Sequence, residues 1–280
     1  MTDPDHGRLG LFVGILLVAA AALVLIAASA NVSPITLAPA YMFSPMVAGL
    51  AVCLSQGIPL ADVGLRRGRL RWLAAAAVVA LPLIGLTLVF AVAVPGIAFD
   101  PTADPIPGAE LPPGLLGVVV TIGIALVLGS TVNAVFAFGE EFGWRGYLLW
   151  ELAPWGFWKA SFAIGSLWGL WHTPVIVAGY NYPSFPYIGV IAMTIACLSF
   201  SPLYTYIVIR AQSVLAAAIL HGVFNGSAGL VVVYAAADGP VLEELVASPV
   251  GAAGVLAFGF ATIAIAVFDT PTLTRKNFTG

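Results

Sequence analysis

Apolar residues occur in long runs along most of this chain, and polar residues are concentrated in the short segments between them. A helix that crosses a bilayer needs about 20 predominantly apolar residues, and the chain contains about eight runs of that kind. They are Leu9–Ala30, Ile35–Ser55, Trp72–Val94, Leu115–Phe138, Ala160–Tyr180, Tyr187–Ile209, Ser213–Ala236 and Pro249–Phe268. The pattern predicts an all-α fold, in which residues 1–280 form a single polytopic membrane bundle of about eight transmembrane helices.

The charges predict which loops lie on which side of the membrane, because short cytoplasmic loops are enriched in lysine and arginine. With a cytoplasmic N-terminus, every basic residue falls in a cytoplasmic segment: Arg8, Arg66, Arg67, Arg69, Arg71, Arg145, Lys159, Arg210, Arg275 and Lys276. All the charged residues of the opposite loops are then acidic: Asp100, Asp104, Glu110, Asp238, Glu243 and Glu244. One span more or fewer would mix the two groups, so both termini are predicted to be cytoplasmic.

Composition excludes a soluble globule. Hydrophobic residues make up 61% of the chain, charged residues 8%, and the mean hydropathy is +1.05, whereas soluble domains carry about 25% charged residues. A net charge of −3 leaves no basic surface for a nucleic-acid partner, so lipid is the expected environment. The preference for arginine over lysine is typical of a GC-rich prokaryotic genome and predicts a prokaryotic plasma membrane. No feature specifies an oligomeric state.

A few polar side chains lie inside the predicted spans, where they are costly and usually functional. They are Glu140, Glu141, Arg145, His172, His221 and Asn225. They fall near the end of the fourth span and within the fifth and seventh. The fourth span ends at the cytoplasmic side and the other two begin there. The groups are therefore expected to meet in one layer towards the cytoplasmic side.

Helical spacing assigns different directions to these groups. Glu141 and Arg145 are separated by four residues, so they can form an ion pair on one face. Glu140 points about 100° away from Glu141 and has no local basic partner, which makes it the candidate general base. His221 and Asn225 share a face, so both can donate hydrogen bonds to one ligand atom.

Each of the three polar sites also contains a pair of glycines separated by three residues. The pairs are Gly139 and Gly143, Gly165 and Gly169, and Gly222 and Gly226. Such spacings let membrane helices approach closely, so they predict a tightly packed centre.

Three motifs carry a family resemblance: EEFGWR at 140–145, WGLWH at 168–172 and HGVFN at 221–225. Their order and their placement in the membrane resemble the CPBP family of intramembrane proteases, also called the ABI family. That family includes type II CAAX prenyl endopeptidases and bacteriocin-processing or bacteriocin-immunity proteins. The resemblance covers residues 115–236, which we take as the catalytic core.

The resemblance implies a division of labour among the motif residues. Glu140 and His172 would activate a water for attack on a peptide carbonyl, and His221 and Asn225 would stabilise the resulting oxyanion. Glu141 and Arg145 of the first motif would hold the site together. The implied activity is an intramembrane endopeptidase acting on a membrane-bound peptide or lipidated protein.

The second motif departs from the family pattern, which usually has phenylalanine where this chain has Trp168. We expect the aromatic wall to be kept and the fit of the substrate to be changed. Together with Trp144 and Trp171, Trp168 is a candidate for lining a groove for an isoprenoid or an apolar side chain. The alternative is that these rings make ordinary lipid or helix contacts.

The residues leave metal dependence open. Glu140, His172 and His221 would be sufficient for a three-ligand zinc site with an open position. However, the chain has no HExxH motif, and asparagine is a poor zinc ligand. We favour a mechanism without a metal cofactor and keep zinc as the alternative.

Two other functions fit parts of the pattern. In a proton-coupled secondary transporter, buried carboxyl and imidazole groups would act as proton relays, but such proteins often contain internal repeats, and none is found here. A catalytically idle family member would serve as an immunity protein or scaffold. The complete set of motif residues argues against an idle member.

Overall fold

The computed structural model describes residues 3–106 and 109–275, and almost all of its regular structure is helical. The α-helices are α1 (His6–Ala30), α2 (Ala38–Tyr41), α3 (Ser44–Gln56), α4 (Leu70–Val92), α5 (Leu115–Leu128), α6 (Ala134–Glu141), α7 (Leu149–Leu152), α8 (Gly156–Trp171), α9 (Thr173–Val177), α10 (Pro186–Ala211), α11 (Val214–Tyr234) and α12 (Ala252–Phe268). Short 3-10 helices span Pro34–Leu37 and Ala153–Trp155, and π-helical segments span Gly129–Asn133, Phe142–Leu148 and Val241–Ala247. Two strands, β1 (Ile97–Phe99) and β2 (Ala235–Ala237), pair antiparallel.

Among the described residues, seven helical segments are long and apolar enough to cross a membrane. The longest, Leu115–Val177, has 63 residues and contains the fourth predicted span and most of the fifth. It is interrupted by the 3-10 turn Ala153–Trp155 and by Gly156, whose φ of 76° is unfavourable for residues with a side chain. The polytopic helical bundle predicted from the sequence is therefore confirmed.

The two ends of the described chain meet at Glu151, which is fully buried. Its carboxylate accepts hydrogen bonds from the backbone N–H of Asp5 at 2.8 Å, from Nε of Arg8 at 2.7 Å and from Nη2 of Arg275 at 2.8 Å. Both ends thus lie at the same side of the bundle, which requires an even number of crossings. The long segment Leu115–Val177 must then cross twice, in agreement with eight spans.

Basic and acidic loops lie at opposite ends of the bundle. The basic end holds Arg8, the loop 58–69, and Arg275; there Arg69 N–H donates to the carbonyl of Ala211 at 2.8 Å. The acidic end holds the loops that follow α4 and α11, which β1 and β2 join. Lys276 lies outside the described residues. Assignment of the basic end to the cytoplasm stays a prediction from the charge pattern.

The glycine pairs lie where helices approach most closely. A methyl group on Gly143 would lie 2.3 Å from the carbonyl oxygen of Pro45, and one on Gly169 would lie 2.4 Å from Cα of Thr194. On α11, a methyl group on Gly222 would lie 2.3 Å from the carbonyl oxygen of Gly129. These distances are far below van der Waals contact, so the predicted close packing is confirmed.

Substituting Gly222 by alanine should therefore destabilise the bundle. Overpacking of this kind costs about 1–3 kcal/mol, because either α11 or the segment around Gly129 must move. Thermal unfolding in detergent is the measurement.

Gly229→Ala is the matched control, since Gly229 lies on the same helix and a methyl group there has no neighbour within 4 Å. This variant should unfold at the wild-type temperature or slightly above it, because alanine favours a helix. Equal melting temperatures for the two variants would contradict the close approach at Gly222.

Candidate active site

The predicted ion pair forms where α6 changes into a π-helical segment. Nη1 of Arg145 donates to the two carboxylate oxygens of Glu141 at 3.1 and 3.2 Å, and both side chains are fully buried. Buried charges are tolerated only when they are paired and hydrogen-bonded. The pair is therefore part of the internal structure of the bundle.

The guanidinium of Arg145 is held by two aromatic rings and a hydroxyl. It lies over the rings of Trp168, at 4.3 Å, and Tyr204, at 4.8 Å. Its Nη2 donates to Oγ of Ser201 at 3.3 Å, and this hydroxyl donates to the carbonyl of Ser161 at 2.6 Å. Arg145 thus connects the first motif to α8 and α10, and cation–π attraction is strongest in such a desolvated place.

Glu141 also binds His221, a contact that the sequence did not reveal. Nδ1 of His221 lies 2.9 Å from Oε1 of Glu141. The rings of Trp168 and Tyr204 flank the imidazole, with centroids 5.4 and 5.9 Å away. Because Nδ1 is taken by the carboxylate, the orientation of the ring is set and Nε2 is the nitrogen left for a ligand.

The side chain of Glu140 points in a different direction from that of Glu141, because adjacent residues on a helix are about 100° apart. It is 3% exposed, and its Oε2 accepts a hydrogen bond from Nε1 of Trp168 at 2.7 Å. None of the salt bridges in the described part of the chain includes Glu140. One carboxylate oxygen is therefore fixed by the indole, and the other has no ionic partner.

His172 follows the last residue of α8. Its Nδ1 lies 2.8 Å from the carbonyl oxygen of Trp168. A carbonyl can only accept, so Nδ1 must carry the hydrogen, and in the neutral ring Nε2 is then a free acceptor. Trp168 consequently contacts both His172 and Glu140, through its backbone and its side chain respectively.

All four candidate catalytic residues line one cavity of about 80 Å³. Its lining consists of Ala38, Tyr41, Met42, Glu140, Trp171, His172, Val175, Tyr180, His221 and Asn225. A second cavity of about 460 Å³ shares His172, His221 and Asn225 with the first. The smaller volume holds more than one water molecule by the usual measure of about 10–15 Å³ per site. The structure thus brings together the residues that the sequence singled out.

The three tryptophans have different positions. Trp168 lines the larger cavity and Trp171 the smaller one. Trp144 lines neither; it is fully buried, with ring centroids 5.8 Å from Phe12 and 6.1 Å from Trp171. The ring of Trp144 thus packs between α1 and the end of α8, and a role for it in a substrate groove stays a prediction.

Sequence reasoning missed several polar residues of the larger cavity, among them Asn133, Tyr180 and Asn181. Asn133 ends the π-helical segment Gly129–Asn133. A signal for it was present, since an asparagine within an apolar run is unusual and commonly marks an interior position. The other two lie in the loop after α9 and gave no such signal.

The zinc alternative depends on three ligand side chains lying close together. Among the residues described, no three His, Cys, Asp or Glu side chains are grouped to hold a metal ion. His172 and His221 each use Nδ1 for a contact with the protein, and Nε2 of each ring is left for a ligand; metal-binding histidines have the same kind of partner on the other nitrogen. We derive no step through a metal.

Comparison with known proteins finds a family match in the central region of the chain. Residues 122–227 match the family model described as Type II CAAX prenyl endopeptidase Rce1-like. The match includes all three motifs, so the resemblance seen in them is confirmed over this range. No curated protein matches the chain.

Removal of the Glu141 side chain should lower both stability and activity. Glu141→Ala leaves the buried Arg145 without its carboxylate, and breaking a buried pair in this way costs about 3–5 kcal/mol. The melting temperature and the yield of purified protein are the measurements. Glu243→Ala, at an exposed acid, is the control and should behave as wild type. A Glu141→Ala protein with normal thermal stability would show that this carboxylate does not hold the bundle together.

The substitution Trp168→Phe removes the indole hydrogen bond to Glu140 but keeps an aromatic ring at this position. The ring over Arg145 remains, but Glu140 loses its donor. A hydrogen bond to a charged group contributes about 1.5–3 kcal/mol, so kcat should fall about 10- to 100-fold with little change in KM.

Trp171→Phe is the matched control, because its Nε1 donates to Oγ of Ser44 at 3.1 Å and not to Glu140. This variant should lower kcat less than Trp168→Phe does, because the hydrogen bond to Glu140 is kept. Equal losses in the two variants would contradict a specific positioning of Glu140 by Trp168.

Proposed function

We propose that the protein is an intramembrane endopeptidase in which Glu140 and His172 activate a water molecule for attack on a peptide carbonyl. The observation that carries this proposal is the shared cavity of about 80 Å³, which these two residues line together with His221 and Asn225. A polar cavity inside an apolar bundle supplies the water that peptide hydrolysis needs and that lipid excludes.

The hydrogen bonds of the site support the division of roles. His172 donates through Nδ1 to a backbone carbonyl, so Nε2 is available to accept a proton from water. Glu140 has one oxygen fixed by Trp168, and none of the salt bridges among the described residues includes its carboxylate. The attacking water gives its proton to this pair, and its oxygen bonds to the carbonyl carbon. The carbon–nitrogen bond then breaks as the proton is passed to the leaving amine.

His221 and Asn225 provide the donors for the oxyanion that forms on the substrate. When protonated, His221 can donate hydrogen bonds from both ring nitrogens. The imidazolium then donates from Nε2, while Nδ1 stays on Glu141. Donors that are already oriented require little reorganisation during the reaction, and removal of one typically costs about 2.7–4 kcal/mol.

The substrate class follows from the family match and from the surroundings of the site. The matched family acts on CAAX prenyl substrates by its description, and the site lies within an integral membrane bundle. We propose a membrane-associated peptide or lipidated protein as substrate and a prokaryotic plasma membrane as the location.

The test is a cleavage assay with purified, reconstituted protein, using a prenylated and an unmodified peptide of the same sequence, with and without a chelator. Glu140→Gln should abolish cleavage, because the amide cannot accept the proton, while the melting temperature stays within a few degrees. Glu243→Gln, at an exposed site, should cleave as wild type.

The outcomes separate the competing functions. Full activity of Glu140→Gln would refute its role as base, and loss of activity with chelator would favour the zinc alternative. Proton-coupled solute flux without cleavage would identify a transporter, whereas a folded protein with neither activity would identify an idle scaffold.

A further inference from the structure

The helix that leads to His172 is broken at that residue. Pro174 lies two residues further on and has no backbone N–H, so the regular series of helical hydrogen bonds stops. The N–H of Val175 donates to the carbonyl of His172 at 3.1 Å, whereas a continuous α-helix would direct it to the carbonyl of Trp171. Trp171 is buried, so its carbonyl needs a donor from elsewhere in the protein.

Tyr41 supplies that donor from a distant part of the chain. Its hydroxyl donates to the carbonyl of Trp171 at 3.0 Å. Its ring is stacked on the indole of Trp171, with centroids 4.5 Å apart and an angle of 7° between the planes. The indole Nε1 donates in turn to Oγ of Ser44 at 3.1 Å. Three contacts from segment 41–45 thus hold the residue that directly precedes His172.

The same segment also packs against the helix that carries Glu140. A methyl group on Gly139 would lie 2.9 Å from the carbonyl oxygen of Met42, and one on Gly143 would lie 2.3 Å from that of Pro45. The two glycines flank Glu140, so the backbone of the segment lies directly against the backbone of this helix. The segment therefore contacts the elements that carry both members of the proposed water-activating pair.

A break in the second predicted span gives the segment its shape. α2 ends at Tyr41 and α3 begins at Ser44, and Pro45 in the first turn of α3 has no N–H to donate to the carbonyl of Tyr41. Tyr41 lies at the end of the first of these helices and lines the cavity of about 80 Å³, as all four candidate catalytic residues do. The segment lies outside residues 122–227, the range of the family match.

We propose that Tyr41 is a positioning residue for His172 and acts through Trp171. While Tyr41 holds Trp171 at the break, the imidazole keeps its contact from Nδ1 to the carbonyl of Trp168 and its place in the cavity wall. Without the hydroxyl, the carbonyl of Trp171 is a buried acceptor that has lost its donor, and the break is no longer held in one geometry. The proposal rests on the proposed function for the reaction, but the link between Tyr41 and His172 is measurable without it.

The test compares two variants of the full-length protein that lose the same kind of hydrogen bond. Tyr41→Phe removes the hydroxyl and keeps the stacked ring. Tyr182→Phe is the matched control, because the hydroxyl of Tyr182 also donates to a backbone carbonyl, that of Val250 at 2.8 Å, from a fully buried position. Tyr182 lines neither of the two cavities that the candidate catalytic residues share.

The first readout is cleavage of the prenylated peptide, measured together with the melting temperature. We expect kcat of Tyr41→Phe to fall about 5- to 50-fold with little change in KM, because a small displacement of a reacting group has effects of this size. Tyr182→Phe should keep kcat near the wild-type value. The two melting temperatures should fall by similar amounts, since each variant loses one buried hydrogen bond.

The second readout is the nitrogen-15 NMR spectrum of histidine-labelled protein, which needs no activity. The chain has three histidines, so the spectrum is simple, and His172→Gln assigns the signals of His172. The shift of each ring nitrogen reports whether it carries a hydrogen. We expect the His172 signals to move in Tyr41→Phe and to stay in place in Tyr182→Phe.

Unchanged His172 signals in Tyr41→Phe would overturn the proposal. A loss of kcat that Tyr182→Phe shares would also overturn it, because the hydroxyl would then act only through the stability of the bundle. If the wild type cleaves no peptide while the His172 signals move only in Tyr41→Phe, the positioning of His172 by Tyr41 stands and the proposed protease activity fails.

Discussion

The centre of this protein depends on the pairing of a buried carboxylate with a guanidinium and an imidazole. Glu141 binds Arg145 at 3.1 Å and His221 at 2.9 Å, in a place without exposed surface for the acid and the arginine. An isolated charge at this depth in a bilayer costs several kcal/mol or more. Each member of the cluster therefore stabilises the others, and together they join the first motif to α11.

The same cluster determines what is left for chemistry. Because Glu141 takes up Arg145 and Nδ1 of His221, the neighbouring Glu140 faces the cavity without an ionic partner. Two adjacent glutamates thus have separate roles, one in holding the bundle together and the other in reacting with water. Trp168 connects the two roles, since its ring covers Arg145 and its indole N–H binds Glu140.

Close packing allows this network to form between different helices. Glycines on α8 and α11 remove the side chains that would otherwise separate the helices, so that hydrogen bonds of about 3 Å span them. The packing is also uneven within the bundle. Glu141 and Arg145 have no exposed surface, whereas the larger cavity lies beside His172, His221 and Asn225.

The sequence by itself determined that the chain forms a polytopic helical bundle with basic and acidic loops at opposite ends, and it singled out residues that line one cavity. Hydrophobic length, charge bias and the spacing of four along a helix are local properties, and these forces act in the same way in any membrane bundle. The contact between Glu141 and His221, the hydrogen bond from Trp168 and the packing of Trp144 against Phe12 were decided only by the tertiary structure. They depend on π-helical segments and on the rotation of one helix against another, which arise from packing between distant parts of the chain. The position of the cavity was decided in the same way, because it reflects where packing between helices fails to fill space.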